Sequence, residues 1–286
     1  MRLLKTAEMR KILIYLILLL IFSTSAGLNS YGQDSDISLI IENLFVRIQR
    51  SSDDREKIRL NDSIDLFINR YANSDSALIR NIPNVRNLGQ LTSSDSKIKI
   101  LTWNLILRNG SNRYFLYLIK KNQKKETGNK VYVLKGEFKA NAPDTMKIYN
   151  ESNWYGALYY AIQPFRHNDK TAYLLLGIDF STDQVNRKII DILTFDNNDR
   201  PVFGKEYFYR DGKAKFRHVI EYSADGIISL RIDSHKLVVF DHTEPYSSGH
   251  EGLSDNMGAG LSFDGYKLKK GKWEFVKNLD IRNRKK

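Results

Sequence analysis

The chain has no cysteine among its 286 residues. That excludes disulfides, thiolate nucleophiles, Cys-ligated zinc and iron–sulfur clusters. It also excludes lipid attachment at a cysteine behind an export segment. Proline is scarce, at five residues, and glycine is modest, at 17, so neither a collagen-like nor a Pro/Gly-rich disordered chain is in view. No HExxH, Gly-x-Ser-x-Gly, GxGxxG or Walker-type motif occurs, which removes the local signatures of zinc peptidases, α/β-hydrolases and nucleotide binders. Only one long apolar run exists, near the start.

That run is "ILIYLILLLIF", residues 12–22, behind a basic stretch with Arg2, Lys5, Arg10 and Lys11. A bilayer span takes about 20 apolar residues, so this run is too short and reads as the core of an export signal. Ser30 and Gly32 supply small side chains at the −3 and −1 positions. Cleavage is expected between Gly32 and Gln33, with an uncleaved anchor over 12–31 as the rival reading. Export places the protein in the periplasm or outside the cell. Packing alone must then hold it, because no disulfide can.

What is present is a basic, half-apolar, tyrosine-rich chain. Hydrophobic residues make up 42% and charged residues 27%, with 16 Tyr and 14 Phe. The formal net charge is +12; the export segment carries four cations against Glu8, which leaves the mature chain at about +9. Outside a cell such a charge points to anionic polysaccharide or another envelope protein, and not to nucleic acid. The densest basic runs are "IKKNQKKETGNK" (119–130) and "IRNRKK" (281–286), whose ordinary role is a solvated surface. The membrane enters only through an uncleaved signal segment.

After the cut the spacing is helical. Ile37, Ile40, Ile41, Leu44, Phe45 and Ile48 lie on one helix face, and Leu60, Ile64, Phe67, Ile68 and Tyr71 on another. Asp36 can cap the first helix, and Asp53 with Glu56 resembles a capping box for the second. The two predict a helical hairpin, and Ser76–Asn81 a short third helix. From residue 97 short β-branched and aromatic runs alternate with turns, such as the Asn109-Gly110 turn between "KIKILTWNLIL" and "RYFLYLIKK". The links are too short for crossover helices, so neighbouring strands should be antiparallel. Asp-Gly at 211–212, 225–226 and 264–265 reads as hairpin turns, and "DNMGAGLSFDG" (255–265) as a mobile loop. The expected fold is α+β: an N-terminal helical hairpin, then a mainly antiparallel β meander, barrel or sandwich. The domain plan is 1–32 signal peptide, 33–90 helical region and 95–286 antiparallel β domain.

Chemistry is concentrated in "VVFDHTEPYSSGHEG", residues 238–252. Asp241 and His242 end an apolar strand and should face opposite sides of it. They cannot easily share a metal with His250, which sits on a glycine-containing loop, so no metal and no cofactor is assigned. Asp241 is expected to accept a backbone N–H, and Pro245 to stiffen the strand exit. "NWYGALYY" (153–160) is dense enough in rings to hold a ligand, with Trp154 and Tyr155 as its candidates. Asp241, His242, Trp154 and Tyr155 are therefore the candidate ligand-binding residues, and no catalytic residue is assigned.

Six stretches taken together resemble an uncharacterised family of exported bacterial β-rich proteins with no assigned activity. They are "KIKILTWNL", "NWYGALYYAI", "YLLLGIDF", "NRKIIDILTFDNNDRPVFG", "RHVIEYSADGIISLRID" and "VVFDHTEP", and they span most of residues 97–275. The resemblance implies a secreted β domain behind a helical N-terminus and transfers no functional residue. The function expected is that of a non-enzymatic binding or envelope-associated module. The alternative is a secreted hydrolase acting on glycan or peptide, with Asp241 and His242 near its site.

Overall fold

The structure is a computed structural model that describes residues 37–122, 128–137, 141–247 and 253–281. The signal segment 1–32, its cleavage point, the Asp36 cap, His250 and the basic residues 282–286 lie outside the described residues.

Residues 37–50 form α1, and α2 spans Asp54–Ala72. The Asp53 side chain caps α2 by accepting from Arg55 N. Glu56 does not close the reciprocal half of a capping box. It accepts from Ser51 Oγ and Arg47 instead, and Ser51 Oγ takes the Asp53 N–H. Ile41, Phe45, Leu60, Ile64 and Ile68 are buried together. Ile40, one of the six apolar positions of the first stripe, is largely exposed. The segment Ser76–Asn81 makes turns and not a helix; Pro83 follows too closely for a longer helical run.

Among the described residues fifteen strands follow and build three sheets. Sheet A orders β1 (Gly89–Thr92), β2 (Ile98–Ile106), β3 (Asn112–Lys120) and β4 (Lys130–Glu137) side by side. Sheet B uses β5 (Leu158–His167), β6 (Lys170–Asp179), β7 (Val185–Phe195) and the short β8 (Pro201–Phe203), with β11 (His218–Ser223) beyond β7. Sheet C holds β9 (Phe208–Arg210), β10 (Lys213–Lys215), β12 (Leu230–Ser234), β13 (Leu237–Pro245), β14 (Met257–Lys269) and β15 (Lys272–Val276). Its order is β10-β9-β15-β14-β13-β12. The ladders are antiparallel except β15 with β9, which is parallel. Among the described residues no sheet closes into a barrel; the sheets stack as a sandwich of three.

Side-chain alternation explains the stack. Along β2 and β3, Leu101, Trp103, Leu105, Phe115, Tyr117 and Ile119 face the helices, while Ile98, Ile100, Tyr114, Leu116 and Leu118 face sheet B. Along β6 and β7, Tyr173, Leu175, Ile189 and Leu193 face sheet A, while Leu174, Leu176, Ile190 and Ile192 face sheet C. A strand covered on both faces needs apolar residues at both parities. That is why "YLLLGIDF" and "KIIDILTF" read as continuous apolar runs. Lys99 shares the helix-facing parity of β2 and donates to Tyr71 Oη and the Arg80 carbonyl; burial pulls its ammonium down to about 8.

Three turn assignments need correction. Asp225-Gly226 links β11 of sheet B to β12 of sheet C, so it turns no hairpin. Asp211-Gly212 does turn β9 into β10, with φ of 50° and 74°. Asp264-Gly265, by contrast, lies inside β14, and the glycine-rich 257–265 is strand, not a mobile loop. The glycine there serves close approach. A Cβ on Gly265 would stand 2.3 Å from the Val238 carbonyl oxygen of the neighbouring strand. Likewise β13 does not stop at Asp241; it stays paired to Pro245 against Met257.

A lysine-lined cleft as the candidate functional site

The four residues singled out from sequence do not converge. Trp154 and Tyr155 are buried between sheets A and B, 2% and 5% exposed, so they pack the core and offer no ring face to a ligand from solvent. Their polar ends join an interior network. Tyr155 Oη donates to Asp191 Oδ2 at 2.7 Å, and Trp154 Nε1 donates to Tyr159 Oη at 3.4 Å. Asp191 pairs with Arg217 at 3.1 Å, with both side chains fully buried. Arg217 also donates to the carbonyls of Asp144, Lys147 and Phe203. Burial pushes the Asp191 carboxyl up; the Arg217 guanidinium pulls it back and is itself held charged by that carboxylate. Every group has a partner, so the network ties the 144–147 segment to the sheets. A Cβ on Gly204, which sits at φ +91°, would meet the guanidinium at 2.3 Å.

Asp241 and His242 diverge as alternation requires. Asp241 Oδ2 accepts the Ser229 N–H at 2.8 Å, ahead of β12. His242 turns to a residue that the sequence offered only as a turn: its Nδ1 lies 2.7 Å from Asp264 Oδ2. Asp264 is buried and also accepts the Asn278 N–H at 3.0 Å. The ladder explains the geometry, because it steps from Asp241–Phe263 to Thr243–Ala259 and leaves three residues of β14 opposite His242. Among the described residues no three His, Asp or Glu side chains gather where they could hold a metal ion.

A polar concavity lies elsewhere among the described residues. Turns at one end of sheets A and B enclose a cleft of about 990 Å³. The β1–β2 turn brings Asp95 and Lys97, and the end of β3 brings Lys120, Lys121 and Asn122. The β5–β6 turn and the start of β6 bring Asp169, Lys170, Thr171 and Tyr173. The β7–β8 turn gives Thr194 to Asn197, and the link toward β9 gives Lys205 and Tyr207. Five lysines thus face three aspartates.

Two of the three aspartates, Asp95 and Asp196, are held by neighbouring groups. Asp95 accepts from Ser93 Oγ at 2.6 Å, Lys97 N at 3.2 Å and Tyr173 Oη at 3.1 Å. Asp196 accepts from Arg200 N, Asn198 N and Arg200 Nε, and the Arg200 N–H first among these holds its carboxyl below the ordinary value. Asp169 lies 3.4 Å from Arg166, but both side chains are exposed and the pair is weak. Three of the five lysines are not held in this way. Lys120 is committed to Asp199 and Lys97 lies 4.0 Å from Asp95. Lys121, Lys170 and Lys205 are exposed and have no carboxylate partner among the described residues. The cleft therefore presents uncompensated positive charge. Of these groups only Lys120 and Lys121, in the 119–130 run, carried a signal in the sequence.

Compared with known proteins, the chain matches no family model, no curated protein and no solved structure.

Proposed function

We propose that this is an exported, non-enzymatic binding module whose ligand is negatively charged and sits in the lysine-lined cleft. The observation that carries the reading is the imbalance just described: Lys121, Lys170 and Lys205 without a carboxylate partner among the described residues, beside Asp95 and Asp196, which neighbouring groups engage. A cleft hydrolase would want the reverse, a carboxyl with a raised pKa and free access to substrate. Among the described residues, the two carboxyls that burial raises, Asp179 and Asp191, are enclosed in the interior and paired with Arg187 and Arg217. The two N-terminal helices, taken as a hairpin, cover the outer face of sheet A and leave the cleft end of the stack open. Export rests on the basic start, the short apolar run and the small residues Ser30 and Gly32.

The test is calorimetric titration of the purified protein with polyanions at low and high salt. Binding that weakens with salt and is lost in a Lys121→Ala, Lys170→Ala, Lys205→Ala triple variant supports the reading; binding untouched by that variant sinks it. The hydrolase alternative draws on one observation, the Asp264-held imidazole of His242. An Asp241-centred site is not supported, since Asp241 is engaged by Ser229 N. Turnover on a glycan or peptide panel, lost in His242→Ala and reduced in Asp264→Asn, would favour that alternative.

A further inference from the structure

We infer that the ligand is an acidic glycan, read by the charges and hydroxyls along its edges and not by ring stacking; this rests on the cleft being the binding site. Aromatic residues line the cleft, yet their faces are taken. The Lys120 ammonium lies 3.9 Å from the centre of the Phe195 ring. The His167 ring packs on Tyr207 with centroids 4.2 Å apart. Tyr173 is 4% exposed and its hydroxyl is given to Asp95. A neutral sugar is held chiefly by an open aromatic face and by directed hydrogen bonds, and a single-stranded nucleic acid by base stacking on such faces. Neither has a platform here.

What remains open to a ligand is peripheral and polar. The free ammonium groups of Lys121, Lys170 and Lys205 are joined by Thr171, Thr194 and Asn197. Among the described residues no arginine lines the cleft. Arginine forks fix a carboxylate or phosphate in one bidentate pose, whereas lysine acts as a mobile point charge. A cleft of lysines alone suits anionic groups repeated along a flexible chain. The threonine hydroxyls and the asparagine amide both donate and accept, which matches sugar hydroxyls; a polypeptide carboxylate chain offers its charges without those hydroxyls. At about 990 Å³ the cleft matches the upper end of small-ligand sites, roughly 300–1,000 Å³, so it has room for a short oligosaccharide segment.

The experiment is fluorescence anisotropy of the purified protein with four labelled probes of matched length. They are a galacturonate oligosaccharide, a neutral glucose oligosaccharide, a poly-glutamate peptide and a single-stranded DNA. The expected result is that the galacturonate probe binds at least tenfold more tightly than each of the other three. Its affinity should fall at least tenfold in a Lys170→Glu, Lys205→Glu variant whose denaturant midpoint is unchanged, and should return in Lys170→Arg, Lys205→Arg. Equal or tighter binding of the neutral sugar, the peptide or the DNA, weakened by the charge reversals, keeps the cleft and overturns the acidic glycan. Galacturonate binding that ignores the charge reversals overturns the cleft itself.

Discussion

His218 packs against Phe240 and Tyr266, with ring centroids 5.1 and 5.4 Å away, and its Nδ1 meets Tyr266 Oη at 3.2 Å. Burial, then the nearby Lys215 and Arg210 charges, push its imidazole down to about 3. In the unfolded chain it titrates near the ordinary value of about 6.5. Between those values the unfolded state binds the extra proton, so the stability His218 allows is complete above pH 6.5 and is lost as pH falls toward 3. The side chain keeps some exposure, which discounts the full linkage slope to about 1 kcal/mol per pH unit or less. A His218→Gln variant should therefore show a flatter fall in urea midpoint between pH 6.5 and 4 than the parent; parallel curves would refute the assignment. Arg217 makes the opposite case, a charge kept in the interior. Arg217→Met removes the partner of a fully buried Asp191 and orphans three backbone carbonyls. It should destabilise by about 3–5 kcal/mol, the usual cost of leaving one half of a buried pair, measured by denaturant unfolding at pH 7.

Elements tell how much the sequence revealed and where it stopped. The α1 and α2 stripes were legible because a 3.6-residue period survives wherever one face is buried, and Phe45 is 4% exposed. Phe45→Ala should cost about 3–5 kcal/mol in unfolding free energy; an unchanged urea midpoint would mean that α1 contributes nothing to the fold. The first part of β14, residues 257–265, was illegible as a strand for a physical reason. Gly258, Gly260 and Gly265 look like loop punctuation, yet Gly265 is small because the Val238 backbone and Leu279 crowd it at 2.3 and 2.5 Å. Gly265→Ala must part β13 from β14 or shift the ladder, so a loss of about 1–3 kcal/mol is expected, the range for overpacking. The His242–Asp264 pair escaped notice for the same cause: its carboxylate belongs to a strand that reads as a turn. Trp154 and Tyr155 were legible as aromatic density but not as buried, because one sequence does not say that sheet A lies on one side of them and sheet B on the other.

At the scale of the molecule, the cleft is a product of stacking. Its residues run from Asp95 to Tyr207 and meet only because the turns of sheets A and B end at one level. No local pattern encodes that. The two sheets are also pinned at this end by charge. Lys120 on β3 and Lys130 on β4 both reach Asp199 in the β7–β8 turn, and Tyr132 Oη donates to the Asp199 carbonyl. Partial burial opposes ionisation of Asp199, but the two ammonium groups prevail and hold its carboxyl below the ordinary value. Asp199 thus consumes one of the five cleft lysines. Asp199→Asn leaves the turn and the Tyr132 contact to its backbone in place while freeing the Lys120 ammonium for a ligand. Both partners of the pair keep some exposure, 16% and 32% at the side chain, so the cost to folding should be small, about 1 kcal/mol or less. The gain appears in binding. One more uncompensated cation in a concave, low-dielectric surface should tighten the cleft for a polyanion by about two- to tenfold at low salt, and the gain should shrink at high salt as screening sets in. Titration of Asp199→Asn against the parent at two ionic strengths checks it. Weaker binding with an intact midpoint would mean that Asp199 serves the cleft by positioning Lys120 on the Phe195 ring, and that Lys120 is not part of the charge the ligand meets.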